Sequence, residues 1–165
     1  MRDQSREFLV KHLKGKPPMG RVLDVGSRNV SGEISDLFTE KTEYIGLDMI
    51  DGGNVDVVMN AHDLMDSFSE GTFDMVVCFD TIEHDDKFWV TISNCKKILK
   101  SGGYLVLGAP GANCPKHDHP NDYWRFSAEA FKSLLAGYLD VEVEEQTDNP
   151  KHSLVDEVYG FGRKP

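Results

Sequence analysis

The run Phe73-Asp74-Met75-Val76-Val77-Cys78-Phe79 constrains this chain most, because it is almost unbroken apolar sequence of strand length. A strand with one wet face alternates polar and apolar residues; this one does not, so both its faces must be covered, as in the centre of a parallel sheet. Shorter runs of the same kind occur at Arg21–Val25, Tyr44–Leu47, Val55–Met59 and Tyr104–Leu107. Between them the apolar spacing changes to that of a helix. Ile34, Leu37 and Phe38 share one helical face, and so do Phe88, Ile92, Cys95, Ile98 and Leu99, a pattern that closes at Ser101-Gly102-Gly103. Phe8, Leu9 and Leu13 predict a leading helix stopped by Gly15 and Pro17-Pro18. Ser127 caps a further helix with Glu129 in its first turn and Phe131, Leu134 and Leu135 facing inward. Two β-type segments, Leu139–Glu145 and Leu154–Phe161, finish the chain. Strands alternating with helices predict an α/β, Rossmann-like doubly wound sheet with helices on both faces.

At 165 residues the chain is expected to form a single domain, 1–165, in which 1–18 is a leading helix and linker. Its 39% hydrophobic content supports a core without disulfides or metal. With 28 acidic against 18 basic residues the net charge is −10, opposite to the basic footprint of a nucleic-acid or anionic-membrane binder. The three cysteines, Cys78, Cys95 and Cys114, have no metal-type spacing and suit a reducing compartment. No apolar run approaches the ~18 residues of a membrane span, and the N-terminus lacks a signal-peptide pattern, so a cytoplasmic protein is expected.

A doubly wound sheet binds its ligand beyond the carboxyl ends of its strands, first of all at the loop after the first strand. Here that loop is Asp24-Val25-Gly26-Ser27-Arg28-Asn29-Val30-Ser31-Gly32, which lacks a clean G-x-G-x-x-G. Asp48, at the end of the second strand, supplies a carboxylate that can accept both hydroxyls of a ribose. Loop and carboxylate together are more specific than either alone. For Asp24 and Asp48 the competing reading is a carboxylate that merely caps a turn.

These segments, in this order from Arg21 to Lys164, resemble the class I S-adenosylmethionine-dependent methyltransferases. Asp24-Val25-Gly26 is similar to the family's first motif, Tyr44–Asp48 to its ribose-binding second, and Asn60-Ala61-His62-Asp63-Leu64 to its adenine loop. Phe73–His84 is similar to the fourth motif and Leu99–Leu105 to the fifth. The resemblance implies seven strands, the last two an antiparallel hairpin. It also implies S-adenosylmethionine as cofactor and S-adenosylhomocysteine as product. The implied cofactor-binding set is Asp24, Gly26, Ser27, Arg28, Asp48, Met49, Asn60, Ala61, His62 and Phe79. Arg28 stands where the family usually has glycine; it either meets the methionine carboxylate or points to solvent. His62 either lines the adenine pocket or faces solvent.

Methyl transfer needs an acceptor held in line, and a base when the acceptor carries a proton to lose. Asp80, Glu83 and His84 follow the fourth strand, where the acceptor is expected, and His84 is the preferred base because its ordinary pKa is about 6.5. The competing reading has Glu83 and His84 simply opening the next helix. The loop His117–Phe126 adds His119 as an acceptor-side candidate and is read as a wall or lid, or else as packing with Trp124 and Phe126 in the core and Arg125 on an acidic neighbour. His117-x-His119 with Asp118 and Asp122 falls short of a metal ligand set, so no metal is expected.

After Phe79 the chain lacks the Asn/Asp-Pro-Pro-Tyr pattern that grips a planar amino nitrogen, and Cys114-Pro115 reverses the Pro-Cys order of cytosine-C5 enzymes. The expected reaction is therefore methyl transfer to an oxygen or nitrogen of a small-molecule or glycan acceptor, with no nucleic-acid or membrane partner and a homodimer as a possible assembly. The alternatives are a dinucleotide-dependent oxidoreductase, whose NAD ribose Asp48 would hold equally well, and a non-catalytic S-adenosylmethionine-binding protein.

Overall fold

The computed structural model describes residues 3–17, 19–29, 32–117, 121–147 and 155–165. Seven strands form one sheet: β1 (Arg21–Val25), β2 (Glu43–Asp48), β3 (Val57–Val58), β4 (Phe73–Phe79), β5 (Leu99–Pro110), β6 (Leu139–Gln146) and β7 (Glu157–Arg163). Their order across the sheet is β3-β2-β1-β4-β5-β7-β6. The first five run parallel, whereas β7 is antiparallel to both β5 and β6, which gives the expected C-terminal hairpin.

Period-2 geometry explains why the central strands are apolar on both sides. Met75 and Val77 of β4 join Val22 of β1 and Val106 of β5 on one face, under helix α1 (Asp3–Leu13) through Phe8 and Leu9. Phe73, Val76 and Cys78 join Leu23, Val25, Leu105 and Leu107 on the other. That second face is covered by α2 (Leu64–Ser67), α3 (Phe88–Ile98) and α4 (Ala128–Leu134), through Leu64, Ile92, Cys95, Ile98 and Phe131. Each fully buried side chain of this size stabilises the fold by about 1.5–3 kcal/mol.

Four expectations are corrected. Ile34, Leu37 and Phe38 do not carry a helix: the described residues form only a 3₁₀ turn at Ser35–Leu37. Three apolar positions in five residues provide too few turns to repay helix nucleation. The buried Ile34 anchors this turn, and the Arg6 guanidinium donates two 2.7 Å hydrogen bonds to Asp36 on its outer side. The third strand shrinks from Val55–Met59 to Val57–Val58, since the Asp56 carboxylate accepts from the Gly46 amide at 2.8 Å before the ladder starts. Val58, on this sheet edge, is 57% exposed. Ser101-Gly102-Gly103 lies inside β5 rather than closing a helix; Gly102, at φ +80°, sits beside the register shift between β4 and β5. Finally, β7 begins at Glu157, and the Leu154 start lies outside the described residues.

β1 is followed by β2 on one side while β4 pairs on its other side, so the strand order reverses between β1 and β4. At such a switch point the two following loops diverge and leave a crevice.

Candidate active site

A cavity of about 680 Å³ opens at the carboxyl ends of β1, β2 and β4, within the range of small-ligand sites. Every expected cofactor-binding residue lines it: Asp24, Gly26, Ser27 and Arg28 after β1, Asp48 and Met49 after β2, Asn60, Ala61 and His62 after β3, and Phe79 from β4. Asp80, Glu83 and His84 line it too, joined by His117, Asn121 and Tyr123. His119, with Asp118 and Pro120, lies outside the described residues.

The glycine loop is held by backbone and side-chain contacts at once. Gly26 and Ser27 donate their amides to the carbonyl of Leu47, at 2.8 and 3.0 Å. Gly26 has φ +81°, and a Cβ there would fall 1.9 Å from Oγ1 of Thr81. That hydroxyl donates to the carbonyls of Phe79 (2.7 Å) and Val25 (3.1 Å), so it ties the β4 loop to the β1 loop where any side chain at residue 26 would stand.

Asp24 is 7% exposed. Its Oδ2 accepts a 2.6 Å hydrogen bond from the Tyr44 hydroxyl, which in turn accepts from Asn54 Nδ2 at 2.9 Å. Asn54 also donates to the Ser27 carbonyl, and Ser27 Oγ donates back to the Asn54 carbonyl at 2.7 Å. Burial pushes the Asp24 carboxyl up to about 6; the Tyr44 bond pulls against that, and the nearby charge of Asp48 adds to it. The same burial, with Asp24 beside it, drives the Tyr44 phenol far above its ordinary range. Sequence reasoning missed Tyr44 and Asn54. One signal was available: Asp24 pairs with Gly46 across the parallel ladder, so Tyr44 is its diagonal neighbour on the same face.

Asp48 is half-buried and accepts from the amides of Ile50 (2.9 Å) and Arg28 (3.4 Å). A carboxylate has room for about four such bonds, so acceptor capacity is left toward the cavity. The Arg28 stem lies over the Asp51–Gly53 turn, close enough that a Cβ on Gly52 would meet it at 3.0 Å. Asn60 caps the 3₁₀ turn Ala61–Asp63 by accepting from the His62 amide at 2.9 Å. His62 does not face solvent: its Nε2 lies 2.8 Å from Asp85 Oδ1, and Asn94 donates to its carbonyl at 2.8 Å.

On the opposite wall Asp80 adopts φ +47°, a conformation an aspartate takes at a cost, with its amide on the Gly108 carbonyl at 3.0 Å. Glu83 and His84 form a 3₁₀ turn, Ile82–His84, and do not open a helix, since α3 starts only at Phe88. Glu83 is fully buried, and neither carboxylate oxygen has a hydrogen-bond partner among the described residues. Burial, then the like charges of Asp80, Glu157 and Asp122, push its carboxyl up to about 8.

The His117–Phe126 segment is built against this turn. The amides of Tyr123 and Trp124 donate to the Glu83 carbonyl at 2.8 and 3.3 Å, and Trp124 Nε1 donates to the Asp85 carbonyl at 2.9 Å. Phe126 is buried, but Trp124 is 37% exposed and packs edge-on against Phe88 and Trp89, which corrects the reading that puts both in the core. Arg125 does rest on an acidic neighbour. Its guanidinium bonds both oxygens of Asp122 and the carbonyls of Cys114 and Pro115, holding the Asp122 carboxyl below the usual carboxylate range.

Solved structures share this fold. An Archaeoglobus fulgidus protein described as a SAM dependent methyltransferase superposes with a TM-score of 0.71 at 21% identity, over 96% of this chain and 94% of its own. Phosphoethanolamine N-methyltransferase 2 from Haemonchus contortus, solved with S-adenosyl-L-methionine, gives 0.72 at 16% identity over 99% of this chain and 53% of its own. The Burkholderia thailandensis 1,6-didemethyltoxoflavin-N1-methyltransferase, solved with its substrate and S-adenosylhomocysteine, gives 0.69 at 18% identity over 98% and 77%. A comparison with curated proteins finds none that matches the sequence. No helix among the described residues is long and apolar enough to cross a membrane. A family model described as a methyltransferase domain matches residues 1–136, and with that match over most of its length the chain belongs to the methyltransferase-domain family.

Proposed function

We propose that this chain, acting as one domain, transfers a methyl group from S-adenosylmethionine to an oxygen or nitrogen of a small-molecule or glycan acceptor. The observation that carries the reading is the placement of two carboxylates, Asp24 and Asp48, at the switch-point cavity of a methyltransferase-family chain. The donor set suits that cofactor. Asp48 offers its remaining acceptor positions to a ribose diol. The buried Asp24 complements a positively charged amino group, while Ile34, Leu47, Met59 and Phe79 supply apolar walls. Asn60, Ala61 and His62 frame the adenine end, with His62 held by Asp85. When bound, S-adenosylmethionine supplies a methyl on a sulfonium sulfur, which leaves with the C–S electron pair as S-adenosylhomocysteine.

The protein's part is to hold the acceptor in line and to deal with its proton. Asp80, Glu83 and His84 form the acceptor side. His84 Nδ1 meets the Asn121 carbonyl, so it is the donor nitrogen and the Nε2 lone pair points toward the Glu83 carboxyl, 3.6 Å away. Nε2, on the cavity side, is the atom that takes the acceptor's proton. Glu83, with its carboxyl up to about 8, is protonated at neutral pH and cannot serve as the base there. Cys78 and Cys95 are buried free thiols, in keeping with a cytoplasmic enzyme.

A thermal-shift comparison tests the cofactor: S-adenosylhomocysteine is expected to raise the melting temperature and NADH to leave it unchanged. A shift with NADH alone removes the methyltransferase reading in favour of a dinucleotide enzyme. Release of S-adenosylhomocysteine in the presence of a candidate acceptor separates a catalyst from a binder.

A further inference from the structure

Glu83, His84 and His117 come together on the acceptor wall, the two imidazoles edge-to-face with ring centroids 5.0 Å apart, and no hydrogen bond satisfies the carboxyl group between them. Glu83 Oε1 lies 3.6 Å from His84 Nε2 and 3.8 Å from His117 Nε2, and one ligand atom from each residue falls within 4.8 Å of the others. A buried polar group is costly unless hydrogen-bonded, and neither Glu83 oxygen has a hydrogen-bond partner among the described residues. We infer that these three side chains bind a divalent transition-metal ion, with an open coordination position facing the cavity.

The second layer of contacts has the form such a site needs. A ligating histidine gives its other ring N–H to a carbonyl or carboxylate, which fixes the tautomer and aims the lone pair. His84 Nδ1 meets the Asn121 carbonyl, and His117 Nδ1 lies 3.3 Å from the Pro115 carbonyl with Asp122 Oδ2 at 3.7 Å. Both imidazoles therefore present Nε2 to the same carboxylate oxygen. Bonds of about 2.1 Å to one ion put tetrahedral ligand atoms about 3.4 Å apart, so the two spacings from Glu83 Oε1 close with shifts of a few tenths of an ångström, while the two histidine nitrogens, within 4.8 Å of each other, close by turning the half-exposed His117 ring.

The donor set also selects the metal. Two imidazoles and one carboxylate suit zinc, cobalt or ferrous iron, whereas magnesium and calcium prefer oxygen. Three protein ligands leave a position for a water or an acceptor oxygen, and all three residues line the cavity beside Asn121 and Tyr123. With the ion bound, His84 Nε2 is a ligand and no longer a base. An acceptor hydroxyl at the open position then loses its proton to solvent more readily, because the ion stabilises the oxyanion. This catalytic part rests on the acceptor-wall reading above; the metal site itself does not.

The test is zinc titration of the full chain, first dialysed against a chelator, followed by calorimetry and repeated with cobalt, whose visible d–d spectrum reports nitrogen and oxygen coordination. One equivalent is expected to bind, and affinity to fall at least tenfold in both His117→Ala and Glu83→Gln. Circular dichroism of each variant shows that it is folded; His117→Ala changes a partly exposed side chain and is the more conservative of the two. Absence of binding, or binding indifferent to both substitutions, overturns the inference. So does binding abolished by His119→Ala but indifferent to Glu83→Gln, which would place the ion on the loop alone. The titration uses neither cofactor nor acceptor, so failure of the methyl-transfer reading leaves its outcome unchanged.

Discussion

Tyr44 donates a 2.6 Å hydrogen bond to Oδ2 of Asp24 at the floor of the cavity, and this bond is what opposes the burial of the carboxylate. The same hydroxyl accepts from Asn54, so the β1 loop, β2 and the turn before β3 are tied at one oxygen. Tyr44→Phe removes an acceptor for Asn54 and a donor to Asp24. It is expected to cost about 1–3 kcal/mol of stability, measured by urea unfolding, and to move the Asp24 carboxyl further up.

Asp24 gives the protein a pH dependence with a definite sign. Its folded carboxyl, at about 6, lies above its ordinary 3.8, so the folded state holds the proton more tightly than the unfolded chain. Its contribution to stability is present in acid and is lost as pH rises from about 4 to about 6, a change of about 3 kcal/mol, with little further effect above that. Unfolding free energies of wild type and Asp24→Asn between pH 4 and 7 check this: the variant should lack the fall. A cationic ligand should offset the same cost, so the affinity for S-adenosylmethionine is expected to weaken as pH drops below about 6.

Asp48→Asn keeps an acceptor for the Ile50 amide, turns an NH2 toward the more distant Arg28 amide and removes the charge. The dissociation constant for S-adenosylhomocysteine should rise about 10- to 100-fold, the worth of a charge-assisted hydrogen bond, with under about 1 kcal/mol lost in stability. Isothermal calorimetry beside thermal melting separates the two effects.

Gly26→Ala forces a side chain into a left-handed backbone position and onto Thr81. Strain and overlap together predict a loss of about 3 kcal/mol, along with the Thr81 bonds that join the β1 and β4 loops. Denaturant unfolding measures the first, and loss of S-adenosylhomocysteine binding reports the second.

Arg125→Lys keeps the positive charge but not the fork that spans Asp122, Cys114 and Pro115. Faster hydrogen exchange is expected through residues 121–126, with the strands of the central sheet unaffected. Protection equal to wild type would show that the loop is held without the Arg125 fork, by its bonds to the carbonyls of Glu83, Asp85 and Pro110.

The strands and most of the cavity were legible in the chain because both depend on local pattern. Phe73–Phe79 is apolar on both faces, and only a central strand satisfies that; the strand-end residues Asp24 and Asp48 follow from where such strands stop. The pattern fails where it is short or interrupted. Ile34–Phe38 has helical spacing but one turn, and Asp56 takes a ladder bond with its side chain.

Sequence alone determined the doubly wound sheet and the position of its ligand crevice, since periodicity fixes which faces are buried and strand ends fix where loops diverge. Only the tertiary structure decided which side chains meet there. His117 looks like one half of a His-x-His pair in the sequence, whereas in the fold its Nε2 faces Glu83, because β5 returns the chain to the β4 loop and Tyr123 and Trp124 bond the Glu83 carbonyl. Contacts between residues so far apart along the chain leave no periodic trace. They come from the sum of many packed and hydrogen-bonded neighbours, which exists only once the sheet has formed.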